Sequence, residues 1–112
     1  MRSCLVLLLA GCASAGPSID VERTPPADWP KLEEHVFRIE QADIPERCFD
    51  GISTRANACA VTDFRNRVCN IYVATDDPAV LEHERLHCLG YDHPRASTMR
   101  AGWARYKAGG GK

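Results

Sequence analysis

The stretch from Asp77 to Gly90 carries start and stop signals for one helix, and it constrains the fold more than any other part of the chain. Asp77 can accept hydrogen bonds from the first free amides of a helix, and Pro78 suits the first helical position because its ring presets φ. Gly90 follows the last turn, where a left-handed residue commonly ends a helix. The sequence therefore predicts a helix from Pro78 to Leu89.

Three of the four histidines lie on this helix or just after it. His83 and His87 are four residues apart, so their side chains project from one helix face, about 5–6 Å apart at Cβ, and could share an ion. Gly90 can send the chain back and bring His93 toward them. Three protein ligands with a fourth place for water are usual for catalytic zinc, so we expect one Zn²⁺ held by these three histidines.

Glu84 follows the first of these histidines and would lie beside the metal ion without binding it. Zinc lowers the pKa of bound water to about 7, and a carboxylate in this position can take the proton that the water loses. The same carboxyl could pass the proton to the departing amine of a peptide bond. We therefore expect Glu84 to act as a general base.

The spacing H-E-x-x-H-x-x-G-x-x-H resembles the signature of the metzincin zinc peptidases. Its fixed positions are His83, Glu84, His87, Gly90 and His93. The resemblance covers residues 78–99 and implies that the three histidines bind zinc, that the glutamate is the general base, and that the domain is zincin-like. The rest of the chain matches that family only in outline. The chain also resembles short bacterial lipoproteins that carry this motif.

Metzincins also place a methionine-containing turn beneath the metal ion, and Ser97–Met99 resembles that turn. The alternative is that Met99 is a core residue, since methionine commonly fills gaps in packing. Ala101 occupies the place where some metzincin branches carry a tyrosine that stabilises the transition state. Tyr106 is a candidate to serve in its stead.

Two further residues bear on the site. Asp92 could replace His93 as a metal ligand, or it could orient a ligand histidine through a hydrogen bond. His35 stands alone on a predicted strand, and we expect it to be an ordinary exposed residue.

The N-terminus is typical of an exported bacterial lipoprotein. Residues 1–11 combine an early cation, an apolar run too short to span a bilayer, and small residues, which is the pattern of a signal peptide. Leu9 to Cys12 looks like a lipobox, so Cys12 is the predicted lipidation site; an ordinary secretory signal is the alternative. Ala13 favours the outer membrane, with the globular part facing the periplasm.

Four cysteines remain after the signal peptide and the lipidated cysteine are set aside: Cys48, Cys59, Cys69 and Cys88. An even number in a small exported domain predicts two disulfides, for which three pairings are possible. Thiolate ligands for zinc are the competing interpretation, but the chain has no close C-x-x-C pair. We expect Cys88 to tie the helix to the sheet.

Residues 31–107 are expected to form one small α+β domain, between a lipid-anchored flexible tether at 12–30 and a flexible tail at 108–112. Lys31–Glu40 suits a strand, and a short helix could follow Asp43. Residues 58–75 predict a β-hairpin that turns at Arg65 and Asn66. The expected fold is an antiparallel hairpin or sheet packed on the active-site helix and stapled by disulfides.

The favoured function is a membrane-anchored zinc endopeptidase that cleaves peptide bonds in the bacterial envelope. An extended peptide or protein substrate could add a strand to an exposed edge of the hairpin. The alternatives are a non-catalytic lipoprotein stabilised by a closed zinc site, and a hydrolase of cell-wall peptides. A formal net charge of −1 argues against nucleic acid as the main partner. The oligomeric state stays open.

Overall fold

The computed structural model describes residues 24–110, which form an α+β domain with a three-stranded mixed sheet, three α-helices and two disulfides. The strands are β1 (Glu33–Arg38), β2 (Ala58–Asp63) and β3 (Val68–Val73). The helices are α1 (Ile44–Cys48), α2 (Pro78–Cys88) and α3 (Thr98–Arg105). A single 3₁₀ turn, Gln41–Asp43, precedes α1.

The centre of the sheet is β3, with β1 on one side and β2 on the other. The predicted antiparallel hairpin is confirmed: Ala58 of β2 lies opposite Val73 of β3, and Asp63 lies opposite Val68. The Asp63 carboxylate accepts a hydrogen bond from the Asn66 amide at 3.1 Å, which closes the turn between the two strands. This arrangement leaves β2 as an edge strand.

The segment β1 is a strand, as predicted, but it pairs with β3 in parallel. The sheet is therefore mixed, which corrects the expectation of an antiparallel sheet. Parallel neighbours need a long crossover connection. Here α1 and β2 lie between β1 and β3 in the chain and provide that length.

The core lies between the sheet and α2, and it contains one of the disulfides. Ile71 and Cys69 of β3 are fully buried against Cys88, the last residue of α2. The Cys69–Cys88 disulfide ties the helix to the sheet, as predicted, while Cys48–Cys59 ties α1 to β2. Each crosslink stabilises such a domain by about 2–4 kcal/mol. The competing interpretation of these cysteines as zinc ligands is wrong.

Residues 24–30 pack on the domain, which corrects the tether prediction for this part of the chain. The ring of Trp29 meets Phe64 edge-on, with 5.3 Å between ring centroids, and its Nε1 donates to the Cys88 carbonyl at 3.1 Å. The Asp28 carboxylate accepts a hydrogen bond from Trp103 Nε1 at 3.1 Å. Proline disfavours helix and strand but does not prevent packing, and an indole gains from burial when its N–H finds an acceptor.

The described part of the chain ends with a helical turn, Tyr106–Gly110, in which Gly109 has φ 94°. The flexible tail at 108–112 stays a prediction. The signal peptide, Cys12, the first part of the tether and residues 111–112 lie outside the described residues. Within 24–110, no helix has the length and apolar character needed to cross a membrane.

Candidate metal centre

The first turn of α2 forms where its sequence signals lie. The Asp77 carboxylate accepts a hydrogen bond from the Ala79 amide at 2.9 Å, and Pro78 is the first helical residue. The helix ends at Cys88, within one residue of the prediction. Local signals thus set the segment that presents His83, Glu84 and His87.

The turn after α2 is a Schellman motif, which needs a left-handed residue. Gly90 has φ 100° and donates from its amide to the His87 carbonyl at 2.9 Å. The next amide, that of Tyr91, donates to the Leu86 carbonyl at 3.1 Å. Because the chain reverses here, His93 returns to the helix face that carries the other two histidines.

The three histidines converge through their Nε2 atoms. The Nε2 of His93 lies 3.3 Å from that of His83 and 3.2 Å from that of His87. Within the described part of the chain, these three residues are grouped closely enough to hold a metal ion. The predicted cluster is therefore present, and α2 and the turn after it bring it together.

The spacing of the nitrogen atoms fits a tetrahedral metal ion. Two nitrogens bound at ~2.0–2.1 Å to a tetrahedral zinc ion lie about 3.3–3.4 Å from each other. Hydrogen bonding alone explains the contacts less well, since a ring nitrogen carries either one proton or one lone pair. The Nε2 of His93 cannot use a single proton or lone pair well toward both His83 and His87. A shared cation would satisfy all three nitrogens.

The ring of His87 is oriented for ligation by the backbone. Its Nδ1 lies 2.8 Å from the Tyr91 carbonyl, which can only accept, so Nδ1 is the donor and the Nε2 lone pair points toward the cluster. Burial lowers the pKa of His87, which favours the neutral imidazole that a metal ion binds. No sequence signal points to this hydrogen bond, because the acceptor is the backbone carbonyl of a tyrosine.

Glu84 lies in the same cavity as the three histidines and is 8% exposed. Burial raises the pKa of its carboxyl from 4.5 to about 7, because removing the carboxylate from water disfavours the charged form. A carboxyl with a pKa near neutrality can both accept and donate a proton at physiological pH. Glu84 therefore lies beside the three histidines with a carboxyl that can exchange a proton near neutral pH.

Asp92 caps α3, and this role accounts for its burial. It is 1% exposed, and its two carboxylate oxygens accept hydrogen bonds from the amides of Met99 at 2.8 Å and Arg100 at 3.0 Å. The metal-ligand prediction for Asp92 is therefore corrected, since His93 occupies that place in the cluster. The orienting hydrogen bond to His87 comes from Tyr91. Asp92 joins the loop that carries His93 to the first turn of α3.

The cluster opens into a cavity of about 580 Å³. One wall is the edge strand β2, through Ala58, Cys59 and Ala60, and another is the first half of α2. Phe49 and Met99 contribute further apolar surface. The cavity is large enough for a small peptide side chain beside the histidines.

The predicted methionine turn has a different local structure. Met99 is the second residue of α3, is 7% exposed and lines the cavity with the histidines. Met99 is thus a buried helical residue in the wall of the cavity. Tyr106 does not line the cavity; it packs on Phe64 and Trp103, with 5.8 Å between ring centroids in each case. The expectation that Tyr106 replaces a catalytic tyrosine is therefore corrected.

His35 lies apart from the cluster, as expected. It is on β1, its side chain is 42% exposed, and its Nε2 lies 3.1 Å from a Glu33 carboxylate oxygen.

Comparison with protein-family models, with curated proteins and with solved structures finds no match.

Proposed function

We propose that this domain is a zinc-dependent endopeptidase of the metzincin kind, with a small zincin-like fold, anchored through Cys12 in the bacterial envelope. The observation that carries the proposal is the convergence of the His83, His87 and His93 Nε2 atoms in a cavity that also contains Glu84. A purely structural zinc site uses a closed set of four protein ligands. Three imidazoles beside a cavity leave room for water and substrate.

The chain's own residues supply proton transfer and ligand orientation. Zinc in the site would supply Lewis acidity, which makes water more acidic and a peptide carbonyl more electrophilic. Glu84 removes a proton from the water that attacks the carbonyl carbon. The same carboxyl then donates the proton to the amide nitrogen as the C–N bond breaks, so the products are a carboxyl group and an amine.

The strand beside the cavity supports an extended peptide as the substrate. In the sheet of the described residues, β2 is at an edge and pairs with a strand on one side only, and an extended peptide can add to such an edge through main-chain hydrogen bonds. The small side chains of Ala58 and Ala60 allow a peptide backbone to approach the cavity. Main-chain recognition in an extended conformation suits unfolded protein segments.

The test combines zinc analysis with a peptidase assay on the mature chain. We expect about one zinc per chain and cleavage of an unfolded protein substrate. We expect Glu84→Gln to keep the zinc and to lower the cleavage rate by at least ~100-fold, the usual contribution of a general base. The matched control is Glu82→Gln, because the Glu82 side chain is on the same helix and 64% exposed. It should keep full activity.

Four outcomes would contradict the proposal or change its scope. An active Glu84→Gln variant would remove the general-base assignment, and a variant that had also lost zinc would leave it unsupported. Zinc without hydrolysis of any peptide would indicate a structural site. Cleavage of muropeptides but not of unfolded protein would indicate a cell-wall hydrolase.

The anchor has its own test. We expect the wild-type protein in the outer-membrane fraction and Cys12→Ser in the soluble periplasmic fraction, because acyl chains on this cysteine would provide the attachment. A Cys12→Ser protein that stays in the membrane would refute lipid anchoring at this residue.

A further inference from the structure

Residues 24–29 form a segment that we call the strap. The strap crosses the domain on the side of the Gly90 turn that follows α2. The strap is held at both ends by polar contacts. Arg100 Nη2 donates to the Thr24 carbonyl at 2.6 Å, and Trp103 Nε1 donates to the Asp28 carboxylate at 3.1 Å. Between these ends, the Trp29 amide donates to the Pro26 carbonyl at 3.0 Å and closes a turn. The strap therefore has a defined conformation on the surface of α3.

The strap packs directly on Gly90. A Cβ atom added at Gly90 would lie 2.7 Å from both Pro25 Cβ and Trp29 Cδ2, so these groups touch the glycine backbone. The Trp29 Nε1 also donates to the carbonyl of Cys88, two residues earlier. Trp29 thus holds both the last residue of α2 and the left-handed residue that ends the helix.

The position of this contact matters because His93 lies three residues after Gly90. The Nε2 of His93 lies 3.3 Å from that of His83 and 3.2 Å from that of His87. Its place depends on the backbone direction that the Gly90 turn sets. A turn free to open would move the His93 nitrogen away from the other two, and a metal ion would have to restore the geometry at a cost in affinity.

We infer that Trp29 is a positioning residue of the metal centre: by clamping the Gly90 turn, the strap holds the His93 imidazole in its metal-binding place before any metal ion arrives. This inference rests on the metal centre of the proposed function but not on its peptidase activity.

The test measures binding of zinc alone to the mature chain, by chelator competition, at a temperature where circular dichroism shows every variant folded. We expect Trp29→Ala to weaken zinc binding by about tenfold to a hundredfold, as the loss of an outer support of a metal ligand does. Trp29→Phe keeps a ring against Gly90 but cannot donate to the Cys88 carbonyl, so we expect a smaller loss, of about threefold or more. If Trp29→Ala does not fold, Trp29→Phe provides the test.

A second readout uses the metal-free protein. The Tyr91 amide, which donates to the Leu86 carbonyl in the turn, should exchange its hydrogen at least about tenfold faster in Trp29→Ala than in the wild type. The Ile71 amide in the central strand reports on global unfolding and should change less. Tyr106→Ala is the matched control, since Tyr106 packs on Phe64 and Trp103, as Trp29 does. It should leave zinc affinity and Tyr91 exchange near wild type.

The outcomes separate this inference from the proposed function. A wild-type protein that binds no zinc would refute the metal centre itself. A wild type that binds zinc, with folded Trp29 variants that bind it equally well and keep Tyr91 protected, would refute the strap inference alone. Equal losses in Tyr106→Ala and Trp29→Ala would show that general stability, and not the Gly90 turn, governs the site.

Discussion

The burial of Glu84 predicts that this carboxyl lowers the stability of the metal-free domain at neutral pH. Its pKa rises from 4.5 to about 7 on folding, because the folded protein removes the carboxylate from water. The folded state therefore binds the proton more tightly than the unfolded state does. Stability from this group is fully present below pH 4.5 and is lost as the pH rises to about 7 and above.

The substitution Glu84→Gln isolates this effect, since glutamine resembles the protonated carboxyl in shape and stays neutral. One pKa unit corresponds to about 1.36 kcal/mol, so the rise to about 7 amounts to about 3 kcal/mol at most. At pH 8 we expect Glu84→Gln to be about 2–3 kcal/mol more stable than the wild type, and at pH 4 we expect nearly equal stability.

The assay is urea unfolding from pH 4 to pH 8 with both disulfides intact. A chelator must be present, because a cation beside the carboxylate would favour its charged form. Groups that titrate in both proteins cancel in the difference between the two curves. The exposed Glu82 provides the control, since Glu82→Gln should follow the wild-type curve at every pH. Parallel curves for Glu84→Gln and the wild type would refute the reasoning that burial raises the Glu84 pKa.

Three further perturbations test the structure around the site. Gly90→Ala should lower the free energy of unfolding, measured by chemical denaturation, by more than about 1 kcal/mol, because alanine is strained at φ 100° and its Cβ would meet Pro25 and Trp29. A variant as stable as the wild type would contradict the turn geometry. Asp92→Ala should lower the free energy of unfolding by about 1–2 kcal/mol, because the first amides of α3 lose their cap, and it should lower the measured zinc affinity, because the His93 loop loses its connection to that helix. An unchanged zinc affinity would show that this connection does not support the site. The double change Cys69→Ala with Cys88→Ala opens a loop of 19 residues and should lower the free energy of unfolding by about 3 kcal/mol in thermal or urea unfolding. A difference near zero would argue that the crosslink does not restrict the unfolded chain.

The helix and the histidine cluster could be predicted from the sequence because their determinants are local. A capping aspartate, a proline at the first helical position and a glycine in the left-handed conformation act within a few residues. The helical period then places His83 and His87 on one face whatever the rest of the chain does. The raised pKa of Glu84 needed the tertiary structure, because it comes from burial.

Contacts between distant segments decided the remaining features. A strand pattern shows that Glu33–Arg38 is extended, but the parallel pairing with β3 depends on the path of the chain between the two strands. The Cys69–Cys88 pairing depends on the contact between α2 and β3, which brings the two cysteines together. Composition predicted a tether around Trp29, and only the surface formed by Phe64, Trp103 and the α2 turn made packing there favourable. Such contacts join residues that are far apart in sequence, so no local pattern can specify them.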